Sequence, residues 1–352
     1  MKHRLNLNKK DPNYILLKEI FKIIDSRKSQ KILASCGFKN LNKQIFTFKI
    51  IFISMFFDLN VKFIINELNF KKELCKYFNI SEVLSADQVY KIFSEQNEKM
   101  LLKSLNRILN SMNQTKRRGK KTFIVDATPV DVDINFLRNK KSKKHLEKLN
   151  LKWSYSSSKG HYIGFKATIV LDYDSINPVC ILIHSGAPND AKLFDEILEN
   201  LQKRRIIRKG DILIFDKGYY SYKNYQLGIN KYKIVPFIFP KSSFKQNKLN
   251  DILTYPLDVF KKIKRIKHEK RIYNTLKQEL LKKLSSWSKF KPKRGKIEDF
   301  FKLLKQGLNM KEIHKYTPKS VAKTVFLNVF LGALIISQGF YSKTAIQQLS
   351  ET

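Results

Sequence analysis

The chain has 352 residues, enough for about two domains of ordinary size, and 43% of them are hydrophobic. That content suffices for a buried core, so the composition excludes a largely disordered protein. Lys and Arg outnumber Asp and Glu 69 to 30, which gives a net charge of +39. Such an excess favours a polyanionic partner, foremost nucleic acid, although an AT-rich coding sequence accounts for part of the Lys content.

The three cysteines, Cys36, Cys75 and Cys180, are isolated in the sequence, so neither a zinc site nor a disulfide framework is indicated. The N-terminus lacks the apolar segment of a signal peptide. The longest apolar stretches, around Ile45–Leu59 and Val325–Ile336, contain Lys or Asn and fall short of the ~20 residues that a membrane span needs. We expect a soluble protein of the cytoplasm that associates with the nucleoid and not with a membrane.

Residues 1 to about 115 are predicted to be helical. Ser85 and Gln88 form the pattern of a capping box at the start of one helix, and apolar residues recur at helical spacing after it. Small helices in a basic segment are typical of a helix-turn-helix DNA-binding domain and equally of a plain helical bundle. A charged connector at residues 114–121 is the predicted domain boundary.

Strand-type segments begin at Thr122. The predicted elements then follow in the order strand, strand, strand, helix, strand, helix, strand, and they are the segment TFIVDATPVDVDI, the two arms around the turn at Tyr173–Pro178, a helix from Asp190, the strand DILIFD, a short helix near Tyr222–Gly228 and the strand KIVPFIF. This order indicates an antiparallel start that leads into crossover units. Residues 241–293 are Lys-rich and less regular, and a clear helix is predicted to begin near Lys293.

Two of these strands carry an aspartate where their apolar run ends. Asp126 follows Phe123 to Val125, and Asp216 follows the run Ile212 to Phe215, with Gly218 supplying a turn. A strand-terminal Asp can simply cap the next helix or turn. Two such residues at the ends of buried strands, in a chain this basic, favour metal chemistry on nucleic acid.

Other acids compete with these two. Asp131 and Asp133 follow Asp126 on the same strand or its end, but the apolar run ends at Asp126. Asp190 is predicted to be the N-cap of its helix.

A third acid lies on the predicted helix RGKIEDFFKLLKQGLNM. Its apolar stripe is Ile297, Phe300, Phe301, Leu304 and Leu308. Arg294, Glu298 and Lys305 lie at i, i+4 and i+11 on the flank of that stripe. Glu298 can therefore lie at the rim of a sheet beside two cations, or form an ordinary surface pair with Arg294 worth ~0.3–0.5 kcal/mol.

Together these residues resemble the DDE transposases of bacterial and archaeal insertion sequences, in particular the branch whose third acid lies in a Tyr-x2-Arg-x3-Glu-x6-Lys motif. Asp126 in VDATPV and Asp216 in FDKGYYS match the first two acids, and Arg294, Glu298 and Lys305 match the last three positions of the motif. The resemblance covers about residues 120–340.

The sequence departs from the motif at one position. Lys291 stands where the motif has Tyr, and Phe290 and Trp287 are the nearby aromatic residues. The departure puts a tyrosine–phosphate contact in question and leaves the three acids in place.

The resemblance implies an α/β catalytic domain at residues 116–345, with an RNase H-like mixed sheet flanked by helices. An insertion at about 235–290 precedes the last catalytic helix. An all-α N-terminal domain at residues 1–115, with DNA binding as its expected role, precedes the catalytic domain.

The resemblance also implies the chemistry. Asp126, Asp216 and Glu298, here called the acidic triad, are expected to be the catalytic residues and the ligands of two Mg²⁺ or Mn²⁺ ions. Arg294 and Lys305 are expected to bind DNA. The expected partners are double-stranded DNA, as terminal inverted repeats and as target, and a second copy of the chain in the synaptic complex.

The expected activity is DNA cleavage at the ends of a mobile element followed by strand transfer into target DNA. Two alternatives stay open from the sequence. One is a nuclease of the same fold, which cuts without joining. The other is a non-catalytic DNA-binding descendant of a transposase.

Overall fold

The computed structural model describes residues 10–112, 119–132, 151–156, 160–254, 266–310, 313, 315 and 317–339. Asp133 and most of the predicted connector lie outside them. By contact the chain forms two compact units. The helical unit comprises 1–115, 130–151 and 299–352, and the sheet unit comprises 116–129 and 152–298. The assignment of DNA binding to a domain at residues 1–115 and of catalysis to a domain at residues 116–345 stays a prediction.

The described elements follow the predicted fold class, with helices first and a mixed sheet flanked by helices after them. In chain order the helices are α1 (Pro12–Asp25), α2 (Arg27–Ser35), α3 (Leu41–Phe57), α4 (Val61–Phe70), α5 (Lys72–Tyr77), α6 (Ala86–Glu95), α7 (Glu98–Met112), α8 (Asp190–Lys203), α9 (Tyr222–Asn230), α10 (Gln246–Ile252), α11 (Ile266–Ser285), α12 (Lys291–Lys302) and α13 (Pro318–Ser337). The strands are β1 (Thr122–Asp131), β2 (Lys152–Ser156), β3 (Gly160–Asp172), β4 (Pro178–Ser185), β5 (Ile212–Phe215) and β6 (Val235–Ile238).

Polar caps fix where helices of the helical unit begin. Ser85 and Gln88 form the predicted capping box at the start of α6, each side chain accepting a hydrogen bond from the other residue's backbone N–H. The helical pattern after Ser85 divides into two helices, because the backbone of Gln96 is extended and ends α6. Helix α13 packs against α7 and α3 within this unit.

Helix α13 is predominantly apolar and is buried on nearly all of its faces. By length and composition alone it could cross a membrane, but 83% of its most hydrophobic window is buried inside the protein. Helices that are hydrophobic all round lie in protein interiors as well as in membranes. The burial agrees with the predicted soluble protein.

Two buried lysines of the helical unit neutralise helix ends. Lys323 on α13 donates to the carbonyl oxygens of Phe93 (2.5 Å), Ser94 (2.9 Å) and Gln96 (3.2 Å), at the C-terminal end of α6. Lys49 does the same for the residues after α5, and it also pairs with an aspartate of α1 at 2.7 Å. Cations satisfy the unpaired carbonyls and the negative dipole at a helix C-terminus. Part of the basic composition is therefore structural.

The sheet has the strand order β2-β3-β1-β5-β6, with β4 also paired to β3. Strands β2, β3 and β4 pair in antiparallel fashion, and β1, β5 and β6 pair in parallel. The sequence predicted this antiparallel start and parallel continuation but missed β2. That strand, KWSYS, lacks the continuous apolar run that marked the shorter strands β5 and β6.

The inserted segment between the sheet and α12 is more helical than predicted. Strand β6 pairs with β5, so residues 235–238, at the start of the predicted insertion, belong to the sheet. Helix α11 spans 20 residues where the Lys-rich sequence indicated irregular structure. Its apolar stripe is sparse but regular, and it packs into the core of the sheet unit through Tyr273, Leu276, Leu280 and Leu284.

Candidate active site

The pairing of β1 with β5 brings the first two acids together. The parallel register runs from Thr122 opposite Ile212 to Val125 opposite Phe215, so the next residues along the two strands are Asp126 and Asp216. Neighbouring strands lie about 4.8 Å apart, and aligned residues of a parallel pair point to the same face. Strand β1 itself continues to Asp131, whereas its pairing with β5 ends at Val125, one residue before Asp126.

The turn after Asp216 is tightly held. Gly218 allows it, because a Cβ at this position would lie 2.8 Å from Oδ2 of Asp190. Asp190 is itself fixed by Lys166, whose Nζ lies 2.9 Å from Oδ1. The prediction that Asp190 caps α8 is wrong, because the side chain of Asn189 accepts the capping hydrogen bond. Asp190 instead supports the turn that presents Asp216.

Tyr219 anchors the far end of the same turn. Its side chain is fully buried, and its backbone carbonyl accepts a hydrogen bond from Asn224 Nδ2 at 2.9 Å. Burial, and then the carboxylates of Asp190 and Asp126, raise the pKa of its hydroxyl well above the ordinary value. The phenol therefore stays protonated beneath the acids.

Helix α12 brings the third acid to the same place. The predicted apolar stripe is buried at Ile297, Phe300, Leu304 and Leu308. Glu298 lies beside that stripe with 56% of its side chain exposed. Arg294, one helical turn earlier, faces the same way.

All three carboxylates of the acidic triad contact the guanidinium of Arg294. Nη1 lies 2.7 Å from Asp216 Oδ1, and Nη2 lies 3.1 Å from Asp126 Oδ2 and 3.5 Å from Glu298 Oε1. The first two contacts are hydrogen bonds. The acids thus surround a single cation that the protein supplies itself.

Carboxylate oxygens around a cation are the donor set that Mg²⁺ and Mn²⁺ prefer. The charge and chemistry of the acidic triad therefore fit a divalent ion. Within the part of the chain that the structure describes, however, no group of three or more His, Cys, Asp or Glu side chains is arranged to hold a metal ion. Arg294 lies between the acids.

Burial dominates the electrostatics of Asp126. It raises the pKa of this carboxyl from 3.8 to about 6, against the opposing effects of Arg294 and of the Ala127 N–H, which donates to Oδ1 at 2.8 Å. The charge of Asp216 adds to the increase. Burial also opposes the charge of Arg294, but its three acidic neighbours outweigh this effect and raise its pKa. The guanidinium is therefore held firmly in its charged form.

Lys305 lies just beyond helix α12. Helix α12 ends at Lys302, and the chain continues as a π-helical turn at Leu303–Gly307. A π-helical turn holds more residues than an α-helical one, but the predicted apolar stripe stays buried through Leu304 and Leu308. The expected DNA contact of Lys305 stays a prediction.

The aromatic residues near the motif position differ in their surroundings. Phe290 packs on Phe237 with ring centroids 4.4 Å apart and lies partly buried against the core of the sheet unit. Trp287 is 37% exposed, and the ammonium of Lys291 lies 4.8 Å from its ring centroid. The ring of Phe239 contacts Trp287 and also lies 5.8 Å from the guanidinium of Arg294.

Sequence reasoning missed the contacts that hold the acids. Arg294 was expected to contact phosphate, whereas in the structure it pairs with the acidic triad. The one available signal was its i, i+4 spacing to Glu298. The pair of Lys166 and Asp190 beneath the turn of Asp216 has no local signal, since 24 residues separate them.

The family described as a transposase DDE domain matches residues 117–334, which include all three acids. No curated protein and no solved structure matches the chain.

The pKa of Asp126 predicts how stability depends on pH. Because folding raises this pKa from 3.8 to about 6, the folded protein binds the proton more tightly than the unfolded chain does. The resulting stability is present below the lower value and is lost as the pH rises through the upper one. In metal-free protein we expect Asp126→Asn to remove this loss, so that the variant gains free energy of unfolding relative to wild type across the window.

Urea denaturation in EDTA, at pH values below and above the window, measures the effect. Asp174→Asn, at an exposed position of the same unit, is the matched control and should follow wild type. If Asp126→Asn and wild type differ by the same amount at both pH values, the assignment of the titration to Asp126 is wrong.

Proposed function

The chain belongs to the transposase DDE-domain family, and on that basis we propose that it cuts DNA at the ends of a mobile element and joins the freed 3′ ends to target DNA. Membership makes DNA the expected macromolecular partner. The finer steps, namely cleavage at terminal inverted repeats followed by strand transfer, are our proposal.

One observation carries the proposal. The register of two parallel strands and one turn of α12 place Asp126, Asp216 and Glu298 around a single cationic group. Carboxylates that gather at the end of parallel strands suit a metal-dependent reaction on phosphate. An ordinary surface pair between Arg294 and Glu298 would involve neither of the two strand aspartates.

We assign the acidic triad as the ligands of two divalent cations, Mg²⁺ or Mn²⁺. When bound, such a pair activates the attacking oxygen and stabilises the leaving oxygen of an in-line displacement. Other residues of the chain position these acids. Lys166 and Asp190 hold the turn of Asp216, and the sheet register sets the spacing between Asp216 and Asp126.

Cationic side chains are proposed to bind the substrate. Arg294 can contact two phosphate oxygens at once through its planar guanidinium, and Lys305 offers a single ammonium. Because each phosphate contact releases bound counterions, the affinity should fall steeply with salt. Two copies of the chain are proposed to hold two element ends, in the cytoplasm at the nucleoid.

Two alternatives use the same fold. A nuclease would cut without joining, and a labelled element end supplied with target DNA distinguishes it by the absence of joined product. A non-catalytic descendant would bind DNA without cutting. All three acids surround one cation. This arrangement favours an active site over a role in packing or in DNA binding alone.

Asp216→Asn tests the catalytic assignment. The substitution keeps the shape of the side chain but removes the charge that a divalent ion requires. We expect cleavage of an element end to be abolished while DNA affinity is retained, because contacts to phosphate dominate the affinity. A cleavage assay and a binding assay on the same substrate measure both quantities.

Asp174→Asn is the matched control and should cut as wild type does. Full cleavage by purified Asp216→Asn would refute the catalytic assignment.

Lys305→Ala tests the proposed phosphate contact. Loss of one such contact should reduce the slope of log affinity against log salt concentration by about 0.9. Lys302→Ala is the matched control, since Lys302 is an exposed residue three positions before Lys305, at the end of α12. Equal slopes for the two variants would remove Lys305 from the DNA contacts.

A further inference from the structure

The guanidinium of Arg294 occupies the centre of the acidic triad. Its two terminal nitrogens contact oxygens of all three acids at 2.7–3.5 Å. The side chain is 26% exposed and the carboxylates of Asp126 and Asp216 are 16% and 26% exposed. These contacts are therefore partly shielded from solvent, where charge interactions are stronger than at the surface.

Three carboxylates this close to one another need a cation. Without one, their mutual repulsion and their burial would both oppose the charged forms. A planar guanidinium with donors on several sides can contact more than one carboxylate at a time, which a single ammonium does less well. Arg294 meets this need in the protein without DNA.

The same oxygens are the proposed ligands of the divalent cations. A carboxylate oxygen that accepts a hydrogen bond from Arg294 faces the guanidinium, and the space between the acids is filled by that group. The described residues hold no group of acids arranged around a metal site, which agrees with this arrangement. The acids can close around a metal ion only after Arg294 has left.

Besides the acids, the guanidinium of Arg294 has the ring of Phe239 as a neighbour, 5.8 Å away. Its Nε is buried without a hydrogen-bond partner, so the contacts to the acids are made by the terminal nitrogens alone. Among the described residues, a rotation of the side chain away from the acids breaks its hydrogen bonds to Asp126 and Asp216 and no other.

We propose that Arg294 is the built-in counter-ion of the acidic triad, and that it exchanges the three carboxylates for a DNA phosphate when divalent cations bind. The proposal rests on the function proposed above and adds the order of events at the site: Arg294 leaves the acids when the cations bind, and it then contacts the DNA. A bound metal ion keeps Arg294 away from the acids, where it can contact phosphate. A bound phosphate holds Arg294 there and so leaves the acids open to the metal. Metal and DNA therefore favour each other's binding. Such coupling is reciprocal.

Binding of Mn²⁺ to the full chain without DNA tests the proposal. Electron paramagnetic resonance of free Mn²⁺ gives the affinity without any need for activity. We expect Arg294→Gln to bind Mn²⁺ about tenfold more tightly than wild type or better, a coupling of ordinary size. Arg271→Gln makes the same change at an exposed position of α11 and should leave the affinity unchanged.

Thermal unfolding provides a second readout. In EDTA, Arg294→Gln should melt at a lower temperature than wild type, because three carboxylates lose their counter-ion. Saturating Mn²⁺ should close that difference, whereas a merely structural arginine would leave it open. Arg294→Lys keeps the charge with a smaller donor set, so its Mn²⁺ affinity should lie between the other two, and it serves if the Gln variant fails to fold.

The outcomes separate this inference from the proposed function. If Arg294→Gln and Arg294→Lys bind Mn²⁺ no better than wild type, while Asp216→Asn has lost both Mn²⁺ binding and cleavage, the inference is overturned and the function stands. If Asp216→Asn binds Mn²⁺ and cuts as wild type does, the acidic triad is not the metal site and both are overturned.

Discussion

Carboxylates brought together on a protein need positive charge, and the organisation of the sheet unit follows from this requirement. The register of β1 and β5 makes Asp126 and Asp216 neighbours. Burial of Asp126 raises its pKa to about 6, so the fully charged form of the acidic triad is electrostatically unfavourable without a cation. Arg294 supplies the compensating charge from α12, and the same helix supplies the third acid. The site is in this sense incomplete without a cation, whichever cation it holds.

The basic composition serves more than one purpose. Lys323 and Lys49 are buried and donate to carbonyl oxygens at helix ends, where burial lowers the pKa of each ammonium. Lys166 supports the turn of Asp216 through Asp190, and Arg294 pairs with the acids. These residues count toward the net charge of +39 but are engaged inside the protein. Net charge alone therefore overstates how many cations are available to DNA.

The sequence could predict those elements and site residues that are marked by a local pattern of residues, and not those that depend on distant parts of the chain. Asp126 and Asp216 could be identified because an apolar run ends at each, and the order of strands followed from such runs. Helix α11 was missed because a sparse apolar stripe lies within a Lys-rich segment. The π-helical turn at Leu303–Gly307 could not be predicted, because the apolar residues within it keep a spacing that also fits an α-helix. The partners of Arg294 lie 78 and 168 residues away in sequence, and only the fold brings them together.

The central claim is that the acidic triad binds divalent cations once Arg294 has moved. Anomalous diffraction from crystals of the protein with Mn²⁺ and a DNA end tests it most directly. The account predicts Mn²⁺ peaks, ~3.5–4 Å apart, among the carboxylates of Asp126, Asp216 and Glu298, with the guanidinium of Arg294 on a phosphate. Peaks elsewhere in the protein, with Arg294 still between the acids in a complex that cuts its DNA, would contradict it.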